Sequence, residues 1–172
     1  MDKAYKKFIL GVAILIAVTA LVACGKTNKG DEKDNSELTI TCAEVLDDMM
    51  ELDSKLPELM IYDKGIDNGE DVFHAFSNES MDLVSDYAYA YAADGSAPEL
   101  IVLKLKNIDD AEKIMSDLKE HMELREGTMA NYSPEEVEMV KNGKIVREGV
   151  YIGMFIGNKS TLMQSSFTEI LE

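Results

Sequence analysis

Basic residues are scarce in this chain: 17 Lys and Arg stand against 33 Asp and Glu, with only two histidines in 172 residues. A formal charge of −16 repels phosphate backbones, so nucleic acid is not an expected partner. Cysteine is nearly lacking too. With only Cys24 and Cys42, no disulfide framework can staple the fold, which must rest on an apolar core. Also missing are a Gly-x-Ser-x-Gly elbow, a phosphate-cradling glycine loop and any His/Cys spacing that repeats a zinc motif. Nothing places a serine or Cys42 beside a histidine, so nucleophilic hydrolysis has no visible machinery.

What is there begins at the amino terminus. Lys3, Lys6 and Lys7 precede Phe8 to Val22, which is apolar almost throughout. As a helix this segment spans roughly 22 Å, short of the ~30 Å hydrocarbon core. A charged start, a short apolar stretch and small residues before a cleavage point describe a secretory signal. The run Leu21-Val22-Ala23-Cys24 resembles the lipobox of bacterial lipoproteins. That resemblance implies cleavage just before Cys24 and diacylglycerol on its thiol, and two acyl chains give stable anchoring. Losing the leader removes three lysines and one aspartate, which takes the formal charge from −16 to −18.

The expected organisation is therefore a signal peptide over 1–23, a lipidated cysteine and flexible tether over 24–40, and one α+β domain over 41–172. Gly25 to Glu37 is polar, without apolar periodicity, and reaches roughly 20 Å as a random coil. Cys42, left unpaired, reads as a small buried hydrophobe at the start of the first helix.

Val45, Met49 and Leu52 place the apolar face of that helix, and Pro57 follows its end. Glu58 to Leu83 shows no clear period, apart from the turn-rich run Asp63 to Gly69 and a short helix over Glu70 to Phe76. Asp86 to Ala92 alternates tyrosine and alanine, and Leu100 to Leu105 is aliphatic. With Asp94-Gly95-Ser96 and Pro98 between them, they form a hairpin. Asp109 with Glu112 makes a capping-box start for a long helix that Gly127 would end. Ser133-Pro134-Glu135-Glu136 opens a short helix, stopped by Asn142-Gly143. A second hairpin turns around Glu148-Gly149, and a final helix runs from Ser160 to Leu171. Two hairpin-plus-helix units predict an α+β fold: an antiparallel sheet of about four strands in two hairpins, helices on one face, preceded by an amino-terminal helix.

The stretches Asp109 to Lys113, Tyr132 to Val137 and Gly149-Val150-Tyr151, with Gly65-Ile66-Asp67 earlier, resemble a bacterial lipoprotein family known only as domain of unknown function 4358. The likeness runs roughly from Cys42 to Leu171. It implies a surface lipoprotein, most often of Gram-positive anaerobes, and supplies no catalytic residues.

Few residues suggest chemistry of their own. His121 lies toward the end of the long helix, where a cation complements the dipole. Asp63, Asp67, Glu70 and Asp71 sit in a glycine-bearing stretch and are weak calcium candidates, because their spacing does not match an EF-hand loop. No other metal and no cofactor is expected. Tyr87, Tyr89 and Tyr91 share one face of a strand, with Ala88, Ala90 and Ala92 on the other. Alanines admit a close helix, which leaves the tyrosines as candidate ligand-facing residues or as core.

The expected role is a non-catalytic binding or interaction module. It would be held by its lipid on the outer face of the cytoplasmic membrane, its partner an envelope protein or a cell-wall component. An envelope hydrolase using paired carboxylates and a structural subunit of a membrane complex are the competing readings.

Overall fold

Five antiparallel strands form one sheet in the order β1-β2-β3-β5-β4, with helices on both faces. The computed structural model describes residues 40–66 and 69–172. Cys24, the preceding signal segment and nearly all of the tether lie outside the described residues.

Thr41 opens helix α1 (Cys42–Glu51) with a complete capping box: its side chain accepts from Glu44 N while the Glu44 carboxylate accepts from Thr41 N. Strand β1 (Leu59–Asp63) follows, then the short helix α2 (Gly69–Phe73). The first expected hairpin is β2 (Val84–Ala92) with β3 (Glu99–Leu105). Helix α3 (Ala111–Tyr132) and helix α4 (Val137–Lys141) come next. The second hairpin is β4 (Lys144–Glu148) with β5 (Tyr151–Ile156), turned at Gly149 with φ +53°. Helix α5 (Ser160–Leu171) closes the chain.

Two expectations are corrected here. The sheet has five strands rather than four, because β1 pairs with β2 from Leu59↔Ala92 to Asp63↔Ala88. Met60 and Ile61 are each 43% exposed, so this edge strand shows no inside-outside alternation to betray it. The helices are not confined to one face. Ala88, Ala90, Leu100, Val102 and Phe155 pack against α1 and α5. Tyr87, Tyr89, Ile101, Leu103, Ile152 and Met154 pack under α2, α3 and α4. Successive strand residues alternate between the two cores, and both are apolar, so β3 and β5 read as continuous hydrophobic runs.

Helix α3 is also longer than expected. Gly127 lies inside it, with nothing within 4 Å of a Cβ built there, and the helix runs on to Tyr132. Buried Met129 ties that last turn to the core and offsets the ~1 kcal/mol cost of a helical glycine. The cap before α3 is Asn107, whose side chain accepts from Asp109 N; Asp109 and Asp110 form a 3₁₀ turn rather than a capping box.

Candidate functional site

Strand β3 begins with Glu99, which lies on the tyrosine face because it alternates with Ile101 and Leu103. Across the sheet it sits opposite Tyr91, which in turn sits opposite Met60. Glu99 is 1% exposed, and a buried carboxylate is costly unless donors surround it. They do. Glu99 Oε1 accepts from the Tyr89 hydroxyl at 2.9 Å and faces His121 Nε2 at 2.7 Å. Glu99 Oε2 stands 3.1 Å from Arg125 Nε, a charge contact whose direction is poor for a hydrogen bond.

Helix α3 brings both His121 and Arg125 there. Ile114, Leu118, His121 and Arg125 fall at successive three- and four-residue steps, so the apolar stripe continues as polar side chains. Arg125 Nη2 also donates to Ser96 O at 2.8 Å, and Glu136 accepts from Ala97 N at 3.0 Å. The β2–β3 loop is thus clamped from two helical segments. The dipole role expected of His121 is corrected: the ring sits mid-helix and is held by Glu99.

Above this network opens a cleft of about 270 Å³, lined by Tyr89, Tyr91, Ala92, Ala93, Gly95, Glu99, His121 and Arg125. That is close to the lower bound for small-molecule sites. His121 Nδ1 and Arg125 Nη1 make no hydrogen bond among the described residues. With Nε2 against a carboxylate, the tautomer that donates from Nε2 carries an acceptor at Nδ1. A second hollow of about 200 Å³, lined by His74, Phe76, Ser77, Asp117 and His121 among others, also borders the His121 ring.

The three tyrosines do not make one open surface. Tyr87 and Tyr89 are 4% and 7% exposed, and only Tyr91 is half-buried. The reason is the second helical layer. A Cβ at Gly69 of α2 would overlap the Tyr87 hydroxyl, and Phe76 packs edge-on against Tyr89 with centroids 5.3 Å apart. Phe73, Phe76, Tyr89, Tyr91 and Tyr62 form a continuous aromatic row from the core to the cleft rim. It ends in Tyr62 and Tyr91, parallel to within 5°.

These environments shift the phenols. Burial, then the Glu99 carboxylate, pushes Tyr89 far above its ordinary range. Burial, then Asp63 and Asp86, raises Tyr87. The neighbouring Tyr62 hydroxyl raises Tyr91.

Of the calcium candidates, Asp63 accepts from Gly65 N at 2.7 Å and so serves its own turn. Glu70 and Asp71 are exposed on α2, and Asp67 lies outside the described residues. Among the described residues no group of three His, Cys, Asp or Glu is arranged to hold a metal ion. Cys42 is buried, with its thiol pushed up by burial and by Asp86. Among the described residues no helix is long and apolar enough to cross a membrane.

Residues 80–157 match the family described as Domain of unknown function (DUF4358). The match takes in Tyr89, Tyr91, Glu99, His121 and Arg125, whereas Tyr62, α1 and α5 fall outside it. Comparison with curated proteins and with solved structures gives no match.

Proposed function

We propose that this chain is a lipid-anchored, extracytoplasmic binding module, non-catalytic, which holds a polar group of an envelope component in the Glu99 cleft. The observation that carries the cleft is one buried carboxylate, Glu99, that holds His121 and Arg125 side by side in the cleft lining. Such fixed polar groups beside aromatic walls favour binding, because little side-chain entropy remains to be lost. The anchor reading rests on the Leu21-to-Cys24 run and the polar stretch after it.

Binding is favoured over hydrolysis for a specific reason. Among the described residues lining the cleft Glu99 is the only acid, and Tyr89, His121 and Arg125 already engage it. A paired-carboxylate mechanism needs a second acid facing the first.

A photoreactive amino acid at Ala93, on the cleft rim, tests this in living cells. A discrete envelope adduct from position 93, and none from Leu162 on α5, is the expected result. No adduct, or equal adducts from both positions, would contradict the reading.

A further inference from the structure

The two edges of the sheet are built differently. Strand β4 carries Lys144, Arg147 and Glu148 among its five residues, a charged edge of the kind that discourages strand pairing. Strand β1, Leu59-Met60-Ile61-Tyr62-Asp63, carries one charge, no lysine, no proline, and a register with β2 that is unbroken by any bulge. Its Met60 and Ile61 are 43% exposed, on opposite faces of the strand.

The hydrogen-bond phase of β1 follows from one contact. Ala93 N donates to Glu58 O at 2.9 Å, so Glu58 and Ala93 are a bonded pair just before the strand. Alternation then turns the backbone groups of Met60 and Tyr62 toward β2, and those of Leu59 and Ile61 toward the open edge. On that edge Leu59 and Ile61 have no backbone partner among the described residues.

We propose that β1 is a strand-addition site, which takes an extended segment of another protein carrying Lys or Arg. Charge selects this occupant. Glu58 and Asp63 bracket the edge, and the chain as a whole is at −16. The nearby Lys64 amine is turned away, donating to Ser85 O at 2.7 Å. A second copy would bring another −16 to the same edge, whereas a basic strand gains backbone hydrogen bonds and attraction together. Side chains of the added strand would alternate between Met60 and Tyr62 on the cleft face and Ile61 on the other. The open backbone edge lies outside the cleft, although Tyr62 stacks on the cleft residue Tyr91, and the proposal does not require the cleft to be occupied.

Amide exchange on the full chain tests the proposal, with the peptide Lys-Val-Lys-Val-Lys-Val as probe and Glu-Val-Glu-Val-Glu-Val as its charge-reversed control. The basic peptide is expected to slow exchange at Leu59 and Ile61 more than tenfold, and the acidic one to leave it unchanged. Ile61→Pro removes an edge donor and is expected to weaken peptide binding at least fivefold. Should that variant unfold, Ile61→Lys at the same exposed position is expected to weaken binding by like-charge repulsion. Equal slowing by both peptides, or no slowing by either, overturns the proposal. So does protection already present in the free chain: concentration-independent protection would mean the chain covers its own edge, and protection rising with concentration a second copy.

Discussion

His121 Nε2 lies 2.7 Å from Glu99 Oε1, joining the middle of a 22-residue helix to the first residue of a central strand. That contact fixes the imidazole through Nε2, in a residue that lines the cleft. It also makes Glu99 the point where α3, the sheet and the β2–β3 loop meet.

Glu99→Gln is the first test of that arrangement. The variant keeps the shape but strips the buried charge that balances Arg125. Breaking one partner of a buried pair costs about 3–5 kcal/mol, and denaturant melts are expected to show a loss of that order. A loss below ~1 kcal/mol would mean that the network is solvated and does not hold the fold.

Tyr89 makes stability sensitive to alkali. An unfolded tyrosine ionises near pH ~10, while the folded phenol stays protonated to higher pH. Above pH ~10 the unfolded state therefore binds fewer protons, so stability is full below that pH and falls as pH rises further, by about 1.4 kcal/mol per unit for this one group. Tyr89→Phe is expected to flatten the decline in melts taken between pH 9 and 11. An unchanged slope would contradict the assignment.

Two glycines are expected to respond with opposite sign. A Cβ at Gly153 on β5 would lie 2.5 Å from Phe155 Cζ and 3.1 Å from Phe167 Cε2, two rings already packed edge-on at 5.6 Å. Gly153→Val is expected to cost about 1–3 kcal/mol by overpacking. Gly127→Ala, in open space inside α3, is expected to stabilise by about 0.5–1 kcal/mol. Thermal melts of the pair read both signs at once.

Cys24→Ala tests the anchor. The variant is expected to accumulate as an unprocessed, unacylated precursor, seen as a mass that retains the leader. A normally processed and acylated variant would remove the basis for the membrane address.

Much of the fold was legible because its signals are local. The tyrosine-alanine alternation, the Asp94-Gly95-Ser96 turn and the Glu148-Gly149 turn each specify a hairpin within a few residues. Strand β1 was not legible: Met60 and Ile61 lie on an exposed edge, and their pairing with Tyr91 and Ala90 is a tertiary fact. The face taken by the helices was hidden for a related reason. Alanines and tyrosines are both acceptable core, so alternation alone could not say that each side would be covered. Of the cleft, the sequence marked Tyr89 and Tyr91, gave His121 only a dipole role, and missed Glu99 and Arg125. A signal did exist, since His121 and Arg125 occupy the continuation of the Ile114-Leu118 stripe, where polar residues on a buried line imply a buried partner. Glu99 followed Pro98 and passed for loop. Only the register placed it opposite Tyr91.

Tyrosine nitration measures most directly whether the Glu99 cleft is occupied in the cell. Tyr91 lies on the cleft rim, while Tyr132, 82% exposed at the end of α3, provides an internal reference. In the purified protein tetranitromethane is expected to modify both. On intact cells Tyr91 is expected to be protected at least fivefold relative to Tyr132. An equal Tyr91-to-Tyr132 ratio in the two preparations would show an empty cleft and contradict the binding function.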